Sequence, residues 1–150
     1  MNRMKSVAGI GMLTAVFLIA YFVVLYLVGL ADLIELRVFN FVILLLGIVI
    51  AIKNAKTKDS QFDYLRGIGV GFYVTLFAVT PFAAFVLLFL SFNTEFMQLL
   101  INHAPFGQFL TPWASAAVVF FEGLSSGVII TYSAMQYFKK NPKVVSKLVS

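Results

Sequence analysis

Apolar residues along this chain gather into four long runs, residues 7–30, 38–52, 67–92 and 114–138, separated by polar or breaker-rich stretches. A helix rising 1.5 Å per residue needs about 20 residues to cross an acyl layer of ~30 Å. The pattern therefore predicts an all-α chain with four spans, over residues 6–30, 36–55, 67–92 and 114–138. The second run is short by strict apolarity, so its span extends outward with Arg37 and Lys53 snorkelling to the two interfaces. Pro81 lies near the middle of the third span, where it removes a backbone donor and predicts a kink.

Residues 93–113 form the one long connection. Its first half predicts a short interfacial helix over residues 94–102, capped by Asn93 or Thr94. Phe96, Leu99 and Leu100 are expected to face lipid, and Glu95, Gln98 and Asn102 water. Pro105, Gly107 and Pro112 break the second half, and Phe106, Phe109 and Trp113 suit an aromatic interfacial belt. No internal repeat is evident.

Charge orients this frame. Of 11 Lys and Arg, all but Arg37 lie on alternate flanks: Arg3 and Lys5, then Lys53, Lys56, Lys58 and Arg66, then Lys139, Lys140, Lys143 and Lys147. An acidic turn with Asp32 and Glu35 follows the first span. The asymmetry predicts a membrane four-helix bundle with both termini in the cytoplasm. At 61% hydrophobic, 11% charged and a mean hydropathy of +0.99, the chain is too apolar for a soluble domain and reads as a single membrane domain over residues 1–150. The net charge of +5 belongs to the span flanks, so no nucleic-acid partner is expected. Without cysteine there is no thiol chemistry, and the lone His103 makes no metal site. The apolar run after Met1–Lys5 is too long for a signal peptide and is kept as the first span.

Candidate chemistry is confined to a few polar groups inside the spans. Glu122 is the one acidic residue well inside a run, and an ionised carboxylate there needs a partner. Counting from the span ends puts Tyr21, Asn40 and Thr80 at a similar depth and Arg37 slightly higher, so all four helices can send a polar group to one layer. Arg37 leads as partner because it can form two charge-assisted bonds to a carboxylate. On the fourth helix, Ser115, Glu122, Ser125, Tyr132 and Gln136 share an arc expected to face protein. A second arc carries Ala116, Gly123, Gly127 and Ala134, and Gly123-x-x-x-Gly127 permits close helix approach. With two contact faces, this helix is the expected centre of the bundle or lies on an oligomer interface. Gly67 and Gly71 on the third helix are packing candidates too.

Two readings of the cluster stay open: an interhelical lock without chemistry, or a site that handles a proton, ion or ligand. No carboxylate dyad, metal cluster or nucleophilic triad is present, so no enzyme and no cofactor is expected. The first expectation is a structural or accessory subunit, with membrane lipid and other membrane chains as partners. The alternative is a small transporter or channel component in which Glu122 binds a proton or cation.

Ile48–Lys53 leading into a short polar loop, Phe62 with Gly67 and Gly71, and Glu122-Gly123 through Gly127 to Met135-Gln136-Tyr137-Phe138-Lys139-Lys140 resemble an uncharacterised bacterial family of small four-span membrane proteins, the domain of unknown function numbered 4199. The resemblance covers roughly residues 40–140. It implies a multi-pass helical protein of the bacterial inner membrane and brings no activity or catalytic residue with it.

Overall fold

A computed structural model describes residues 2–31 and 33–140. Asp32 of the acidic turn, and Lys143 and Lys147 of the basic C-terminal stretch, lie outside the described residues. The chain forms helices α1 (Asn2–Val28), α2 (Val38–Lys58), α3 (Tyr64–Phe92), α4 (Thr94–His103) and α5 (Pro112–Lys140), with 3-10 turns at Ile34–Arg37 and Gly107–Phe109. All but α4 are long and apolar enough to cross a membrane. No strand occurs among the described residues.

Polar residues just beyond the apolar runs set the helix ends. Asp63 accepts from the Arg66 backbone N–H at 2.9 Å, so α3 starts at Tyr64 rather than at the first glycine. Thr111 Oγ1 accepts from Ala114 N–H at 3.1 Å, and Pro112 supplies a first residue that needs no donor. Gly29, at φ +79°, ends α1: Leu30 N–H reaches Leu25 O and Gly29 N–H reaches Tyr26 O, a pairing that requires the left-handed glycine. Pro81 lies inside α3 without ending it.

The hub is α3, not α5. It packs against α1, α2 and α5, whereas α5 packs against α3 and α2. Val74, Thr75 and Ala78 of α3 are completely buried. The reason is a seam of matched sizes. A Cβ added to Gly123 would lie 2.7 Å from Val79 Cγ1, and one added to Gly127 would lie 2.8 Å from Thr75 Cβ. In the other half the roles exchange: Gly71 receives Thr131, and Gly67 receives Met135. Residues four apart on one helix meet residues four apart on its antiparallel neighbour, large against small at each step.

This seam also corrects the expected orientation of α5. Ala116 and Gly127 are buried, while Glu122, Ser125 and Tyr132 in the middle of the polar arc are exposed; at its two ends Ser115 and Gln136 are partly buried against the protein. Close backbone approach needs the small residues inward, and Glu122, Ser125 and Tyr132 turn outward as a consequence. A smaller seam joins α1 to α2, where Gly47 receives Thr14.

The ends are tied by polar contacts between helices. At the end carrying residue 2, Asn54 Nδ2 donates to Ser6 Oγ at 3.3 Å and Gln136 Nε2 to Tyr64 OH at 3.0 Å. Lys56 Nζ sits 5.3 Å above the Phe138 ring. At the opposite end, α4 folds back over the helices. Asn93 accepts from Phe96 N–H at 3.1 Å and donates to Tyr26 OH at 2.6 Å. Phe96, expected to face lipid, is buried among Phe22, Tyr26 and Phe89, with ring centroids 5.4–6.1 Å away. Edge-to-face ring contacts and the Asn93 bridge draw the apolar side of α4 inward. Asn93→Ala is expected to lower stability by ~1 kcal/mol through loss of the cap, read as a shift in thermal unfolding, with Tyr26→Phe giving a smaller shift.

Candidate functional site

At the end roofed by α4, unequal helix lengths leave space. Helix α2 begins at Val38, and Arg37 just before it meets Glu122, ten residues into α5, so α5 runs on ~15 Å beyond that level at 1.5 Å per residue. The notch is a half-open cavity of about 360 Å³. Its walls come from α1, α2, α3 and α5, and its roof from α4 and the segment after it. Phe22, Leu44, Phe82, Val86, Leu90 and Phe96 make the apolar interior, all of them buried or partly buried.

Arg37 and Glu122 both line this cavity. Arg37 Nη2 donates to Glu122 Oε2 at 2.5 Å. The side chains are 42% and 54% exposed, so Glu122 is not enclosed by its own chain but stands at the rim. The 3-10 turn before α2 presents Arg37, and Tyr21 supports that turn. Its hydroxyl donates to Leu36 O at 3.0 Å rather than to Glu122. Asn40, one turn along α2 from Arg37, lines the same cavity. Its Oδ1 is enclosed without a partner among the described residues, as is Oγ of Ser115 across the gap on α5. Thr80 is exposed and does not line the cavity; α3 contributes its neighbour Val79 instead. The structure thus joins Arg37, Asn40 and Glu122 at one site, uses Tyr21 as a brace and leaves Thr80 apart.

Several lining residues escaped sequence reading. Ser126 lies one turn beyond Glu122 on the same face of α5, a spacing that could have flagged it. His103, on the roof, places Nδ1 2.9 Å from Leu99 O, so that nitrogen carries the hydrogen. Nothing in the sequence places His103 near the cavity; the fold-back of α4 does. Among the described residues no group of three His, Cys, Asp or Glu is arranged to hold a metal ion.

Chemically the site offers one ion pair, spare hydrogen-bonding capacity and an apolar chamber. Only one Arg37 nitrogen is engaged, and Glu122 Oε1 has no partner among the described residues. Nothing in it resembles a nucleophile with its base. The volume falls within the ~300–1,000 Å³ of small-molecule pockets, with few polar groups among many apolar ones. Comparison with family models, curated proteins and solved structures gives no match for this chain, so the resemblance over residues 40–140 rests on its motifs alone.

Proposed function

We propose that this is a non-enzymatic protein of the bacterial cytoplasmic membrane, a four-helix bundle with both termini in the cytoplasm, that takes up a small ligand in its outer half as a binding or transport component. Four observations support the membrane placement. Four helices have the needed length and apolarity, and the basic residues sit on alternate flanks. Large apolar side chains such as Leu27, Leu65 and Phe92 are at least 76% exposed, which a water-facing surface rarely tolerates over wide patches. Phe106, Phe109 and Trp113 are exposed at the roofed end, where aromatic side chains suit an interface.

The observation that carries the ligand reading is the cavity that reaches Glu122. Polar and charged residues at membrane depth that face a cavity mark functional paths more often than those locked between helices. The competing reading, an accessory subunit docking through small-residue faces, loses its main support because Gly123 and Gly127 are occupied by α3 of the same chain.

Mild-detergent purification followed by mass spectrometry separates the two. The expected result is a small molecule that travels with the wild-type protein and is lost from Ser126→Trp or Val118→Trp, which fill the cavity from α5. Protein subunits alone, unchanged by either tryptophan, would return the accessory reading to first place.

A further inference from the structure

The charges, the chamber and its lips define the ligand more closely. We propose that the cavity is a lipid site, in which one acyl chain of a zwitterionic phospholipid from the outer leaflet lies beneath α4 while its phosphate meets Arg37 and its ammonium meets Glu122. This rests on the membrane placement and ligand reading above.

Three features point the same way. First, polarity is graded within the site. Leu18, Leu44 and Leu90, deep in the lining, are at most 3% exposed, whereas the ion pair is about half exposed at the rim. A wholly polar solute would leave that chamber unfilled, and a purely apolar one would leave the charges unused. An amphiphile fits both.

Second, the gap has apolar lips. Phe41 of α2 and Val118 of α5 line the cavity and are 39% and 55% exposed. An opening between two helices, edged by side chains that face acyl chains, gives an amphiphile a sideways path from the membrane.

Third, the rim carries both signs of charge with capacity to spare. Guanidinium N–H groups not engaged by Glu122 can donate to phosphate oxygens, and Glu122 Oε1 can accept from an ammonium. Ser115 Oγ and Asn40 Oδ1, without partners among the described residues, supply one further donor and one further acceptor. An anion alone would meet Glu122 as a like charge, and a bare cation would meet Arg37. A head bearing both charges satisfies the pair without breaking it, and that sets the zwitterion above a fatty acid or a metal cation.

The test uses the full-length protein in a neutral glycoside detergent and three probes of one chain length: a single-chain phosphoethanolamine lipid, a single-chain phosphoglycerol lipid and an alkyl glucoside. Native mass spectrometry and thermal shift report binding. Wild type is expected to prefer the phosphoethanolamine lipid over both others by about tenfold. Glu122→Gln, which keeps a hydrogen bond to Arg37, should bind the two phospholipids equally, and Ser126→Trp should bind neither. Equal binding of all three probes by wild type overturns the proposal, because the cavity would then be a slot without head recognition. So does a head preference that survives Glu122→Gln. If wild type carries some other small molecule that Ser126→Trp loses, the lipid assignment falls while the ligand reading stands. If nothing occupies the cavity, both fall.

Discussion

Gly127→Leu is expected to destabilise the protein by on the order of 3 kcal/mol. The added side chain has nowhere to go. A Cβ at this position already lies 2.8 Å from Thr75 Cβ, and Thr75 is completely buried, with its hydroxyl donating to Gly71 O at 2.8 Å. Helix α3 therefore has to withdraw, and the contacts of Gly71 with Thr131 and Gly123 with Val79 loosen with it. Val128→Leu, one residue away on an exposed face, should be nearly silent. A volume swap sharpens the test. Gly127→Ala should destabilise, and adding Thr75→Gly should return part of the loss, giving a coupling of ~1–3 kcal/mol in a double-mutant cycle. Thermal unfolding in detergent measures both. If Gly127→Leu behaves like Val128→Leu, the two helices do not meet at this face.

Breaking the ion pair on one side only is expected to have the next largest effect. Glu122→Ala leaves Arg37 charged and unpaired at the half-exposed cavity rim, which costs on the order of 1–2 kcal/mol. Arg37→Ala strands Glu122 in the same way. The double variant Arg37→Ala/Glu122→Ala removes both charges and should be more stable than either single change. Glu122→Gln should stay close to wild type, since the amide oxygen still accepts from Arg37. Losses that simply add would mean that the two side chains do not interact where it matters for stability.

How far the sequence alone could lead differs from feature to feature. The four long helices are legible because three apolar runs far exceed what a soluble helix needs and the second is extended by its flanks, although polar caps such as Asp63 move the ends by a few residues. The Arg37–Glu122 contact is legible because a carboxylate in an apolar run must find a partner and only one basic residue lies near its depth. The hub is legible only in retrospect. Gly67, Gly71 and Thr75 on α3 repeat the spacing of Gly123, Gly127 and Thr131 on α5, and two such series in antiparallel helices interlock. Reading the α5 series alone points to a partner chain instead. Phe96 is not legible, because an amphipathic pattern gives the face of α4 but not the medium that covers it. Nor is the cavity, which lies where α5 runs on past the start of α2 rather than at any motif.

The central claim is a membrane protein whose ligand cavity opens on its outer half. Because the chain has no cysteine, single cysteines introduced at Lys56, Gln98 and Ser126 can be probed in intact cells with membrane-impermeant and membrane-permeant thiol reagents. Gln98→Cys is expected to react with the impermeant reagent, Lys56→Cys to be shielded from it, and Ser126→Cys to react from the outside and to be protected once tryptophan replaces Val118. Labelling of Lys56→Cys from outside together with shielding of both other positions would invert the orientation and contradict an outward-facing site.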